Sequence, residues 1–504
     1  MSYLLGLDIG TSGAKALVAD SAGRVLASAT AEYSLSQPRP LWSEQDPADW
    51  WRGAKTALRT ALAQSGVRGE AIVGLGLTGQ MHGATFLDAA DQVLRPAMLW
   101  NDQRTAAECA EITERVGAAR LIEITGNPAL TGFQAPKLLW LRNNEPAQYA
   151  RLAHLLLPKD YIRLLLTGEH ATDASDAAGT LFLDLRARDY SAELLDALDV
   201  PRAWLPRVYE GPEVTGRLRP AVAAELGLPA GLLVVAGGGD NAAAAVGTGV
   251  TRAGVVSSSI GTSGVLFAHS DVPALDPQGR LHGFCHAVPD AYHLMAVTLS
   301  AGGAFQWLRN MLRFIAPDLS YEQLVGLAAS VLPGAEGLLF APYLTGERTP
   351  HLDPLARGAW VGLTSRHGLG HLTRALLEGV VFALRDGLEL MRGLGVPADE
   401  IRATGGGGKH ALWLQLQAEI YGTAVQTLAA EEGPAYGAAL LAGVGAGVYA
   451  NVAEAVAQTV RVTGATEPDS AHVRRYNELY AAYTGLYPAL RASAHALAGL
   501  AGDE

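Results

Sequence analysis

Asp240 is the carboxylate in this sequence best displayed for chemistry. It follows an apolar run, Leu232–Val235, and three glycines, Gly237–Gly239, and it precedes an alanine-rich stretch. The pattern reads as strand end, tight turn and helix start. Open α/β sheets put their ligand sites at such strand ends. A helix cap would use the same residue in the same place, so this stretch alone leaves cap and base open. A second feature occurs twice. The tetrapeptide G-T-S-G stands at Gly10–Gly13 and again at Gly261–Gly264, about half the chain apart. Its glycines suit a tight turn. Its hydroxyls and successive backbone N–H groups suit phosphate oxygens. One such turn explains only a hairpin; a matched pair, one from each half, could grip a polyphosphate from two sides.

Asp8 immediately precedes the first turn. A carboxylate beside a phosphate nest needs an intervening cation, for which Mg²⁺ is the natural choice. The bland alternative is a strand-end Asp that shapes the turn. Lys15 reads as a solvated strand residue. G-Q-M-H-G, Gly79–Gly83, puts Gln80 and His82 at a strand end, where hydrogen-bonding side chains suit a polyol. A lone histidine also serves structure alone. Trp100, with Asn101 and Asp102, could give a sugar an aromatic wall. Gly405–Gly408 leave room for a flat ring at a helix start, but a plain strand–helix turn explains them too. Lys409 follows them without the spacing or Ser/Thr of a Walker A loop.

These residues need a frame. Tyr3–Ile9, Ala14–Ala19 and Val25–Tyr33 read as three strands joined by tight turns. Asp46-Pro47 starts a helix to about Ser65. Ala71–Thr78 reads as a buried strand, and Pro136–Arg142 and Lys159–Leu166 as helices. The pattern then restarts, with strands at Gly254–Ser259, Val265–Ala268 and His293–Thr298 around the second G-T-S-G. Helices follow at Phe305–Phe314 and Leu372–Leu394, strands at Glu400–Thr404 and Val425–Thr427, and a helical tail over about Ala471–Leu500. A motif repeated in the same strand–turn–strand context predicts two α/β domains on one plan, with a boundary near Gly247–Arg252. Only the last few residues read as disordered.

Composition narrows the partners. The 504 residues are 49% apolar and 17% charged, with net charge −12. An acidic chain with no basic cluster argues against nucleic acid or an anionic membrane as partner. No apolar run approaches the roughly 18 residues of a membrane span, and the N-terminus has no secretory pattern. Cys109 and Cys285 are isolated, and no Cys/His ligand spacing suggests a zinc site. A cytoplasmic location is expected. There is no G-x-S-x-G elbow and no G-x-G-x-x-G opening a βαβ unit, which disfavours hydride transfer. Two phosphate turns, a metal carboxylate and a separate bare carboxylate favour phosphoryl transfer to a hydroxyl, with Asp240 as base.

At this point the residues carry a family resemblance. The runs are L-D-I-G-T-S-G-A-K, P-L-W-S-E-Q-D-P (Pro40–Pro47), G-Q-M-H-G-A, L-W-N-D-Q-R-T (Leu99–Thr105), L-P-K-D-Y (Leu157–Tyr161), S-D-A-A-G-T (Ser175–Thr180), A-G-G-G-D-N-A-A, S-I-G-T-S-G, Y-L-T-G-E-R-T-P (Tyr343–Pro350) and Gly405–Gly408. In this order they resemble the FGGY carbohydrate kinases of the actin-like ATPase superfamily, over essentially the whole chain. The resemblance implies two ribonuclease-H-like domains about a cleft. Residues 1–249 would bind sugar and supply the base, and residues 250–504 would bind ATP. It implies D-xylulose as acceptor, Asp240 as the base at its C5 hydroxyl, and Asp8 as organiser of Mg²⁺ and phosphate. Gln80, Met81, His82, Trp100 and Asn241 would meet the sugar. Thr11, Ser12, Gly261 and Thr262 would meet phosphates. Gly302, Gly406 and Gly407 would line the nucleotide pocket, with His410 where some relatives carry Asn. Ribulose, gluconate and glycerol kinases share the pattern, and actin-like filament proteins and chaperones share the ATP clamp. A homodimer is one assembly the sequence leaves open.

Overall fold

Tyr3–Ile9 is a central strand in the first of two seven-stranded sheets. The structure, a computed structural model, describes residues 2–429 and 432–501. The expected disordered tail, residues 502–504, lies outside them. In the first sheet the path runs Val214–Arg217, Leu233–Val235, Ile72–Gly79, Tyr3–Ile9, Gly13–Asp20, Val25–Glu32, and Gly238–Gly239 also pairs with Ile72–Gly79. In the second it runs His282–Cys285, Tyr292–Thr298, Gly264–Ser270, Gly254–Ile260, Ala398–Gly405, Val425–Leu428, Val462–Thr466.

The two sheets repeat one plan. Tyr3–Ile9 pairs antiparallel with Gly13–Asp20 and parallel with Ile72–Gly79. Gly254–Ile260 pairs antiparallel with Gly264–Ser270 and parallel with Ala398–Gly405. The registers end alike: Ile9 lies opposite Gly79, and Ile260 opposite Gly405. Each G-T-S-G turn therefore has a glycine-rich segment at its side. In the first half that segment is G-Q-M-H-G; in the second it is Gly405–Gly408. Duplication produced two equivalent loci, and their side chains differ in kind.

Helix Pro47–Ser65 starts where the sequence predicts. The Asp46 side chain accepts from Ala48 N at 2.9 Å, and Trp50, Ala54, Ala57, Leu58 and Ala61 are buried against the first sheet. Leu369–Gly393 runs through the second core. The predicted single tail helix is two, Ser470–Tyr483 and Leu486–Ala501, separated at Thr484-Gly485. Among the described residues no helix is long and apolar enough to cross a membrane.

One helix ties the halves together. Pro434–Gly445 follows the last parallel strand of the second sheet, yet it packs on the face of the first. Glycines make this possible. A Cβ on Gly6 would lie 1.8 Å from Ala435 O, and one on Gly76 1.8 Å from Ala438 O. Lys15 adds a latch, its Nζ 2.9 Å from Glu432 Oε2; the sequence reading of Lys15 as a solvated residue misses this pair. Gly76→Ala is expected to lift this helix off the sheet. Overpacking of this kind costs roughly 1–3 kcal/mol, so the thermal midpoint should fall by several degrees. A midpoint equal to the parent's would show that the helix can shift without cost.

Candidate active site

Asp240 opens helix Asp240–Thr248 at the seam between the two sheets. Its Oδ1 accepts from Asn241 N at 2.7 Å and from Asn241 Nδ2 at 2.9 Å. The side chain thus satisfies one helix-start N–H and leaves Oδ2 free of these bonds. Burial raises its carboxyl to about 6, against the pull of the two Asn241 bonds. The preceding glycines do not leave room for a ligand. A Cβ on Gly237, at φ 78°, would lie 1.7 Å from Leu77 O, and one on Gly239 would lie 3.0 Å from Met81 Cγ. They let the chain press against the neighbouring strand and aim the carboxylate.

Asp240 lines a cavity of 290 Å³ together with Met81, His82, Trp100, Asn241, Phe133, Ser263, His282 and Arg348. The cavity therefore draws walls from both halves of the chain. His82 sits at φ 67°, a conformation costing roughly 1–3 kcal/mol in a non-glycine residue. Its Nδ1 lies 2.6 Å from Gly179 O. A carbonyl only accepts, so Nδ1 carries the proton and Nε2 is an acceptor. Burial drives the ring to about 3, so it is neutral at physiological pH. Trp100 is 46% exposed and donates Nε1–H to Thr11 Oγ1 at 2.9 Å.

Gln80 is elsewhere. It is buried, and its amide donates to Gly10 O at 3.4 Å and Gln45 Oε1 at 3.1 Å. Gln45 in turn donates to Thr11 O at 2.6 Å and accepts from Trp50 at 2.8 Å. The structure thus places Gln80 in a clamp on the first G-T-S-G turn and not on the cavity wall. Thr11 and Ser12 line neither this cavity nor the next; Ser12 is exposed.

A second cavity, of 380 Å³, is lined by Gly261, Thr262, Gly302, Gly303, Gly406, Gly407, His410, Phe305, Tyr321 and Trp413. The four nucleotide-pocket residues expected in the second half, Gly302, Gly406, Gly407 and His410, meet here with Gly261 and Thr262 of the turn. His410 Nδ1 accepts from Leu412 N at 3.2 Å, which leaves Nε2 as a donor. The second turn is pinned from behind: Ala301 N and Gly303 N donate to Thr262 O, both at 2.9 Å, and Gly302 N donates to Gly261 O at 2.8 Å. This turn is shared. It gives Ser263 to the first cavity and Gly261 and Thr262 to the second.

Asp8 lines neither cavity, but it is close enough to Asp240 to feel its charge. Its Oδ1 is buried without a hydrogen-bond partner. Burial, then the charge of Asp240, raises its carboxyl to about 7, and Lys15 opposes the rise. An orphaned buried carboxylate oxygen fits a hard divalent cation. The glycine-walled second cavity, with three aromatic rings, fits a nucleotide base.

Two residues at the first cavity, one on its wall and one behind it, escape the sequence reading. Arg348 lines the first cavity, and burial lowers its guanidinium against the pull of Glu347. Its only signal was Y-L-T-G-E-R-T-P, which carried the family resemblance without a role for the arginine. Lys137 is fully buried and fixes the wall, donating to His82 O at 2.9 Å and to Gly132 O at 2.5 Å.

A duplicated sheet, a cavity walled by both copies and a G-T-S-G turn shared by two cavities are the features of an actin-like two-domain fold. The chain belongs to the FGGY family of carbohydrate kinases: the N-terminal domain of that family matches residues 3–247 and the C-terminal domain residues 256–446. It is 46% identical over 441 residues to the xylulose kinase of Klebsiella pneumoniae, covering 87% of this chain and 89% of that one. The crystal structure of xylulose kinase from Rhodospirillum rubrum matches with a TM-score of 0.91 at 33% identity, over 98% of this chain and all of the other. A gluconate kinase from Lactobacillus acidophilus matches with a TM-score of 0.93 at 27% identity, over 98% and 99%. The expected actin-like two-domain fold is therefore borne out.

Proposed function

We propose that this kinase phosphorylates D-xylulose to D-xylulose 5-phosphate, with ATP as donor, Mg²⁺ as metal and Asp240 as general base. The carrying observation is the shared turn: Asp240 and Ser263 face one cavity, and Gly261 and Thr262 face the adjoining one. The sugar belongs in the first cavity and the nucleotide in the second, so residues 1–249 supply most sugar contacts and the base, and residues 250–504 the ATP site. D-Xylulose as acceptor rests on relatives such as the Klebsiella pneumoniae enzyme.

Asp240 Oδ2 takes the hydroxyl proton while Asn241 holds Oδ1. Neutral His82 accepts a hydrogen bond from a sugar hydroxyl at Nε2, and Trp100 covers a C–H face. Arg348 donates to sugar oxygens. Asp8 would hold the divalent ion, and Thr11, Ser12, Gly261 and Thr262 the phosphates. Bound Mg²⁺–ATP supplies the phosphoryl group and screens its charge. Enclosure of the acceptor by both lobes keeps water from competing. The reading fits a cytoplasmic metabolic enzyme.

Arg348 and the gluconate kinase match favour one second reading, a hexonate acceptor whose carboxylate would meet the guanidinium. A coupled ADP-release assay over a pentulose, hexonate and polyol panel separates the two. D-Xylulose should give the highest kcat/KM. Gluconate turning over while D-xylulose does not would overturn the proposed acceptor.

A further inference from the structure

Asp91, His154 and His170 are far apart in sequence, and the fold brings them together on the first lobe. None of them lines either cavity of the active site. The geometry points to a zinc-type transition-metal site, with Asp91, His154 and His170 as three protein ligands. This goes against the sequence reading, which finds no Cys/His ligand spacing because the ligands come from three separate elements.

The two imidazole rings stack, with centroids 4.1 Å apart and planes at 29°. Both Nε2 atoms turn to one carboxylate oxygen. His170 Nε2 is 2.8 Å from Asp91 Oδ1, and His154 Nε2 is 3.9 Å from it. The second distance is too long for a hydrogen bond. Zinc bonds of about 2.0–2.1 Å at tetrahedral angles hold ligand atoms roughly 3.3 Å apart. The two observed separations bracket that value, and all three ligand atoms lie within 4.8 Å of one another. A cation entering here would replace the proton between His170 and Asp91 and also engage His154.

The ligands are held from behind. Asp91 stands at φ 60° in a turn closed by Asp91 N to Asp88 O at 2.9 Å and Asp88 N to Gln92 O at 3.0 Å. His154 opens strand His154–Leu156, in register with Leu87. His170 immediately precedes strand Ala171–Asp173. Each side chain is 29–40% exposed, so an ion can reach it and water can complete the fourth position. Two nitrogens and one oxygen suit zinc, nickel or copper better than magnesium.

The test is calorimetric titration of Zn²⁺ into the nucleotide-free chain. One saturable site per chain is expected. His154→Gln and His170→Gln should each weaken it by more than the roughly 10–100-fold that loss of an outer-shell partner costs. Asp240→Asn should retain it, which separates this site from carboxylates at the active site. Both histidine variants should keep the parent's metal-free thermal midpoint and sugar-kinase kcat, while only the parent's midpoint rises with Zn²⁺. Absence of saturable uptake by the parent, or uptake unchanged in both histidine variants, would overturn the assignment.

Discussion

Asp240→Asn is expected to lower kcat by about 10²–10⁴ while sugar affinity stays within several-fold. The amide is nearly isosteric, so Oδ1 can still accept from Asn241, and the helix start at residue 240 survives. What is lost is the acceptor for the hydroxyl proton. The pH profile gives a second readout. The Asp240 carboxyl sits at about 6, far above its ordinary 3.8, because burial disfavours the charged form. A base works deprotonated. At saturating Mg²⁺, which would keep the Asp8 carboxyl ionised, wild-type kcat/KM should therefore rise with pH through about 6 and level off above it. In the variant that limb should vanish, since the amide does not titrate. Near-normal kcat in Asp240→Asn, or an unchanged acid limb, would assign proton removal to another group.

The repeated plan was legible because it rests on local signals. G-T-S-G must be a turn wherever two apolar runs flank it, and two copies in one context imply two sheets. Asp46-Pro47 fixed a helix start by capping chemistry alone. The parts that were not legible depend on distant contacts. Gln80 looked like a sugar ligand because it lies next to Met81 and His82. In the structure it turns the other way, to a glutamine 35 residues earlier. Gly237–Gly239 read as a tight turn; that Leu77 and Met81 fill the space beside Gly237 and Gly239 is visible only in the structure. Helix Pro434–Gly445 is a run of mostly small residues; that its partner is the opposite sheet is visible only in the structure. Arg348 lay in a family run that gave it no task, since a guanidinium becomes a cavity wall only when residues such as His82 and His282 are brought around it.

The same limit applies to L-P-K-D-Y and S-D-A-A-G-T, which matched the family without an evident task. The structure joins them in one buried cluster. Lys159 Nζ lies 2.7 Å from Asp160 Oδ1, 2.7 Å from Asp173 Oδ2 and 3.2 Å from Asp176 Oδ2, with every side chain fully buried. Arg163, also fully buried, donates to Val235 O at 2.7 Å and Ala236 O at 2.5 Å. Ser175 Oγ donates to Asp173 Oδ1 at 2.5 Å and accepts from Gly239 N at 3.1 Å. The cluster therefore holds the backbone on either side of Gly237 and, through Gly239, the residue before Asp240.

Charge balance explains its composition. Burial, with Asp173 and Asp160 as neighbours, lifts the Asp176 carboxyl well above the usual range, so Asp176 keeps its proton. Lys159 and Arg163 then face the carboxyl groups of Asp160 and Asp173. Burial works against the Lys159 ammonium, but the surrounding carboxylates outweigh it and hold the group above its ordinary value. Lys159→Met removes one cation and leaves two buried carboxylates with Arg163 alone. Loss of one partner from a buried ion pair costs about 3–5 kcal/mol. For a lobe of this size that predicts a fall in the thermal midpoint of roughly 6–20 °C. Because the strand ending at Val235 and the Gly239 N–H lose their anchor, kcat should fall along with stability, even at temperatures where the variant remains folded. A midpoint within a degree of the parent's would mean that the carboxylates simply take up protons, and that the aim of Asp240 is set by Gly237–Gly239 and their neighbours without help from the buried charges.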